Sequence, residues 1–222
     1  DRVIAKATNY SRYAFEDEIA AGYIHGRCGV RIGIVGVGVS NSNQVITFKN
    51  ITSVNIRVPH EIVGCSNPLR SILDDFNSTI IVAPPFAGKT TLIRDMTRVI
   101  SDIKDVVVID ERDEIAGCGC FRLGKYCDLI ATVTKDVVTE GIIRAMSPEI
   151  VVMDELFLER DLKVIQCLTS AGIKILAAMH GDSISVVEKI TGYKSIFEYV
   201  VVLCNKPSIG SIKSITRLSA VD

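Results

Sequence analysis

Long apolar runs are missing from this chain of 222 residues. The longest candidate, residues 30–39, is broken by Gly33, Gly36 and Gly38, and nothing approaches the ~20 apolar residues that a membrane span needs. We expect no signal peptide. Net charge is nearly missing too. With 25 Lys and Arg against 26 Asp and Glu it is −1, which removes any global electrostatic case for DNA, RNA or a membrane surface, though not for a local basic patch. Tryptophan is absent, and so are repeats and low-complexity segments. The seven cysteines are an odd number scattered among core-like runs, which suits a reducing, cytosolic compartment. Cys118-Gly119-Cys120 with Cys127 lacks C-x-x-C spacing and a second pair, so we read them as loop or core thiols rather than zinc ligands. The chain begins at Asp1 with no initiator Met, and we expect it to be truncated at its N-terminus.

What is present is an ordinary globular balance, 48% hydrophobic and 23% charged, with mass for one large or two small domains. From residue 78 onward short apolar runs alternate with amphipathic stretches. Strands are expected at 78–83, 106–110, 150–154, 173–179 and 198–203, and helices at 89–100, 138–146, 159–171 and 182–191, with Gly172 stopping the third. Fully apolar strands separated by helices belong in a parallel sheet covered on both faces. Residues 211–218 alternate and suit an edge strand. The first ~68 residues differ: a helix at 15–23, strands at 30–39, 44–48 and 51–58, and a hairpin turn at Ser40-Asn41-Ser42-Asn43. We therefore expect a small α+β N-terminal domain (1–68) and a RecA-like P-loop NTPase core with a mostly parallel sheet (69–222).

The strongest local signal is Ala83-Pro84-Pro85-Phe86-Ala87-Gly88-Lys89-Thr90-Thr91, between an apolar strand and a helix. It matches G-x-x-x-x-G-K-[ST] except that Ala83 replaces the first Gly. In such a loop the backbone N–H groups and the helix start converge on phosphate. The expected phosphate contacts are Pro85, Phe86, Ala87, Gly88, Lys89, Thr90 and Thr91. Lys89 would reach the β/γ-phosphates, and the Thr90 hydroxyl would ligate Mg²⁺. Ala83 costs little if its φ is negative and about 1 kcal/mol or more if it must be positive.

Three later strands end in polar groups at the rim where open α/β sheets collect ligands: Asp110-Glu111, Asp154-Glu155 and His180. Four apolar residues followed by Asp154-Glu155 have the form of a Walker B strand. Asp154, with Asp110 as a further candidate, would hold Mg²⁺, and Glu155 would polarise the attacking water. Asp110 and Glu111 compete for that base role. His180 would sense the γ-phosphate or else cap and pack. Arg144 would face nucleotide or a neighbouring subunit, or be a solvated charge.

These pieces occur in an order that resembles one family. Tyr13-Ala14-Phe15-Glu16-Asp17-Glu18, Gly29-Val30-Arg31-Ile32-Gly33 and Asn55-Ile56-Arg57-Val58 precede the P-loop. Asp110-Glu111-Arg112-Asp113-Glu114-Ile115-Ala116-Gly117, Ile143-Arg144-Ala145-Met146-Ser147-Pro148 and Ala178-Met179-His180-Gly181 follow it. The whole is similar to the stage III sporulation protein AA family of endospore-forming bacteria, relatives of type II, type IV secretion and pilus ATPases. The resemblance implies ATP as the nucleotide and a cytoplasmic ATPase at the inner face of the membrane on the mother-cell side. It also implies a hexamer and membrane-embedded sporulation channel proteins as partners, and the near-neutral charge leads us to expect no nucleic acid. It places acidic boxes on Asp110, Glu111 and Glu114 and on Asp154 and Glu155, a His box on His180, and candidate arginines at Arg31 and Arg57. The chain departs from the family at Ala83, at Phe157-Leu158, where Gly-Arg is usual, and through residues 118–135. A nucleotide-binding scaffold with little turnover is the alternative reading.

Overall fold

The computed structural model describes residues 2–41, 44–117 and 119–218, with backbone alone at 158 and 159. Two compact units emerge from its contacts: Asp1–His60 with Gly117–Phe121, and Glu61–Ala116 with Arg122–Asp222.

The first unit carries helices α1 (Arg2–Ala7) and α2 (Glu16–Ala20) and an antiparallel sheet of β1 (Tyr23–His25), β2 (Arg31–Asn41) and β3 (Gln44–Arg57). β3 is one strand where the sequence suggested two. Its pairing with β2 slips between Val35 and Val37, and Asn50 there takes a φ of 46°. Such a bulge bends a long strand without ending it. The hairpin links the expected strands, while Ser42 and Asn43 of its turn lie outside the described residues. One face of the sheet packs Ile24, Ile32 and Ile34 against Ile4 and Ile19.

Cys28 and Cys120, both in this unit, form a disulfide with Cα atoms 5.1 Å apart. This corrects the thiol reading for Cys120. The partners are 92 residues apart in sequence, and spacing alone does not disclose such a pairing. The cysteine argument for a reducing compartment loses part of its footing. Cys127 lies on an edge strand, and Cys118 falls outside the described residues.

The second unit is a seven-stranded sheet. Its strands are β4 (Thr79–Ala83), β5 (Val106–Asp110), β6 (Cys127–Ala131), β7 (Ile150–Met153), β8 (Lys174–His180), β9 (Tyr199–Cys204) and β10 (Ser211–Arg217), and its helices α3 (Arg70–Asp74), α4 (Lys89–Ile100), α5 (Lys135–Ala145), α6 (Leu158–Ser170) and α7 (Tyr193–Ile196). The order is β10-β9-β4-β8-β7-β5-β6, parallel except for β10 at one edge. Alternate residues serve two cores. Ile80 and Val82 of β4 face the layer holding Ile142, Val164 and Leu168, while Ile81 and Ala83 face Leu92, Ile93 and Met96 of α4. Burial on both faces is why these strands read as unbroken apolar runs.

Two expectations fail here. The helix expected over 182–191 is only a 3₁₀ turn at Ile184–Val186. Ser183 bonds Asp182 and Ser185 through its side chain, and Asp and Ser that bond locally compete with helix formation. Strand β6 was not expected, because its Asp128 interrupts the apolar run at an exposed edge.

Candidate functional site

Register places the candidate residues. Ala83 pairs with His180, Met153 with Ala177 and Ile109 with Met153. The strand carrying His180 therefore lies between the P-loop strand and the Walker B strand, and Asp110 and Asp154 end neighbouring strands at one level. Ala83 closes β4 in extended backbone, so Ala in place of Gly carries no left-handed strain there. The left turn comes later: Gly88, the N-cap of α4, has φ 83°, and Phe86, 76% exposed, has φ 60°. Gly88 thus occupies the position where a side chain would be costly. Thr90 and Thr91 lie in the first turn of α4.

Lys89 reaches back across the rim. Its Nζ lies 3.8 Å from Glu155 Oε1 and 3.3 Å from His180 Nε2. Burial depresses the Lys89 pKa below the ordinary lysine value, although Glu155, Glu114 and Asp154 pull it upward. Glu155, 7% exposed, is shared: Oε1 meets His180 Nε2 at 2.8 Å and Oε2 meets Arg112 at 3.1 Å. A hollow of about 460 Å³, lined by Phe157, Met179, Val186 and Lys189, opens beside Glu155 and His180.

Asp154 is 8% exposed and accepts the Glu155 amide on Oδ1 at 2.7 Å. Burial pushes its carboxyl up to about 7, and Asp110 and Glu111 add to the rise while Lys135 opposes it. Asp154 and the Thr90 hydroxyl are the groups that would hold a divalent cation beside bound phosphate, since no cluster of three or more His, Cys, Asp or Glu among the described residues could hold one alone. A buried carboxyl whose ionised form is penalised by desolvation is stabilised by an adjacent cation, and the Thr90 hydroxyl opens the P-loop helix.

The other acid pair does different work. Asp110, fully buried, accepts the amides of Glu114, Ile115 and Ala116 at 2.9, 2.8 and 2.9 Å. Burial raises its pKa even against those three bonds. From α4, the buried Arg94 donates to the carbonyls of Ile115 and Glu114 at 2.7 and 2.6 Å. The loop of the Asp110-to-Gly117 motif is thus clamped by its amides and by its carbonyls. Glu111 accepts the Lys135 amide at 2.9 Å and Arg160 at 2.7 Å. Burial pushes its carboxyl up, but these bonds outweigh it and hold Glu111 below the ordinary glutamate range.

Sequence reasoning missed Lys135. Its side chain is fully buried, with Nζ 3.1 Å from Glu111, 3.4 Å from Asp161 and 4.0 Å from Asp154. A lysine opening a helix after Thr134 gives no cue that it turns inward. Arg112 was visible within its motif, but its contact with Glu155 was not. Arg144 pairs with Glu140 at 3.5 Å on the exposed face of α5. Arg31 and Arg57 oppose each other across β2 and β3, and Arg31 stacks on Tyr23 at 4.3 Å.

Several known proteins are similar to this chain. Among solved structures, the VirB11 ATPase of the Brucella suis type IV secretion system, in complex with sulphate, matches with TM-score 0.55 at 14% identity, over 88% of this chain and 75% of that one. The pilus retraction motor PilT with bound ADP matches with TM-score 0.54 at 14% identity, over 84% of this chain and 58% of that one. These likenesses are of fold: a RecA-like core with a mostly parallel sheet, preceded in sequence by a small α+β unit. Stage III sporulation protein AA of Bacillus subtilis is 32% identical over 208 residues, which is 88% of this chain and 68% of that protein. The uncharacterized protein ycf45 of Cyanidium caldarium is 26% identical over 62% of this chain and 43% of its own length. A family model described as sporulation stage III, protein AA, matches residues 2–219. The chain belongs to the sporulation stage III protein AA family.

Proposed function

We propose that this chain is a Mg²⁺-dependent ATPase of the secretion-motor type. It assembles as a hexamer on the cytoplasmic, mother-cell side of a membrane-embedded sporulation channel and drives that channel's assembly or operation. The observation that carries the reading is the convergence of Lys89, His180 and Glu155 within 4 Å at the C-terminal rim, behind a helix capped by Gly88. Sulphate on VirB11 and ADP on PilT are the kind of ligand that such a loop takes.

The chemistry assigned to the residues follows from their surroundings. Lys89 and the amides of 86–91 bind the phosphates, with Pro85 shaping the loop. Thr90 and Asp154 hold Mg²⁺, which when bound neutralises charge building on phosphate oxygens. Glu155 orients and polarises the attacking water, held from behind by Arg112 and from the side by His180. Glu111 is the weaker candidate for the base, since it bonds Lys135 and Arg160, whereas Glu155 lies 3.8 Å from the P-loop lysine, Lys89.

Steady-state ATP hydrolysis with Mg²⁺ tests the reading on wild type, Lys89→Ala and Glu155→Gln. We expect Lys89→Ala to lose most nucleotide affinity, and Glu155→Gln to keep binding while turnover falls by about 100-fold or more. Wild-type binding without turnover would instead leave a nucleotide-binding scaffold.

A further inference from the structure

Lys135 is the one described buried side-chain nitrogen or oxygen without a well-formed hydrogen bond. It is nonetheless surrounded by three carboxylates, each on a different element: Glu111 after β5, Asp154 after β7 and Asp161 on α6. A buried ammonium is costly unless its charge is matched. Here the acids also need it, because carboxyls crowded this closely make one another's ionisation costlier. Arg160 supplies the remaining positive charge, bonding Glu111 and Asp161 from a more exposed position.

We propose that Lys135 is a positioning residue for the cation that accompanies the nucleotide. Its ammonium, 4.0 Å from Asp154 Oδ1, draws that carboxylate from inside the fold and so biases the direction in which it can serve a metal. The proposal rests on the reading of Thr90 and Asp154 as the Mg²⁺ side of the P-loop. Asp154 Oδ1 lies between the Glu155 amide and the Lys135 ammonium, so its orientation is set by groups that never touch nucleotide. The same ammonium draws Glu111 inward, toward Arg160 and the start of α5. Lys135 thereby separates the two strand-end acid pairs into one held for structure and one held for a cation.

The test measures binding of a fluorescent ADP analogue in EDTA and then in Mg²⁺, for wild type, Lys135→Met and the charge-balanced pair Lys135→Met with Asp161→Asn. The pair removes one charge of each sign and so keeps the buried charge balanced, where the single variant leaves the carboxylates without their ammonium. We expect wild type to gain affinity with Mg²⁺. Both variants should bind the analogue in EDTA as wild type does, and the Mg²⁺-dependent gain should fall about tenfold or more. A folded double variant that keeps the full gain would overturn the proposal and leave Lys135 a structural counter-charge. Wild-type binding with no response to Mg²⁺ would overturn it too, while sparing the P-loop. Failure of wild type to bind at all would remove the P-loop reading and this proposal with it.

Discussion

The ends of β5 and β7 carry the same dipeptide, Asp-Glu, at the same level of one sheet, yet the two pairs live in different surroundings. At β5, Asp110 is consumed by three amides of its own loop, and Glu111 by Lys135, Arg160 and a helix start. At β7, Asp154 has a single amide on Oδ1 and a pKa pushed up to about 7 by burial, and Glu155 faces Lys89, His180 and Arg112. What separates them is the segment that follows. The loop after β5 curls back over its aspartate and presents three N–H groups. The chain after β7 runs into α6 and leaves its acids turned to the rim. Dipeptide identity alone therefore does not assign a role; the geometry of the next few residues does.

The largest expected break in this comparison comes from Asp110→Ala. Two buried amides and one partly buried amide would lose their acceptor, and we expect about 3 to 5 kcal/mol of destabilisation in denaturant unfolding. A loss below about 1 kcal/mol would show that the loop does not depend on that carboxylate.

A second test sharpens the contrast through pH. Burial raises the Asp154 carboxyl from the ordinary aspartate value of 3.8 to about 7. Because that pKa is raised, wild type should lose stability relative to Asp154→Asn as pH rises from about 4 to about 7. The difference should be about 4 kcal/mol by pH 8, read from unfolding midpoints. A constant difference across that range would remove the desolvation argument.

The smallest effects should come from the arginines. Arg112 and Arg160 are both about half exposed, so Arg112→Gln and Arg160→Gln should each cost under about 1 kcal/mol in the same unfolding assay. Larger losses would mean that the outer cations, and not the buried partners, distinguish the two ends.

Much of this arrangement is legible in the sequence, and the reasons differ by residue. The runs Ile80-Ile81-Val82 and Val106-Val107-Val108-Ile109 announce themselves because both faces of their strands are buried. The start of α4 at Lys89 follows from the P-loop pattern. The rim positions of Asp154, Glu155 and His180 follow from strand ends, and their convergence on Lys89 depends on sheet order, which no local pattern reveals. The contacts of Lys135 and Asp161 are long-range and electrostatic, so neither periodicity nor motif spacing encodes them. The 182–191 segment misleads because its apolar spacing suits a helix while Ser183 and Ser185 bond locally instead.

The Arg94 clamp has a mechanical consequence. A guanidinium rooted in the P-loop helix grips the loop after β5 by two carbonyls, while Asp110 grips it by three amides. Helix and loop are thus joined as one piece through the interior of the fold, at two carbonyls held from α4 and three amides held from the end of β5.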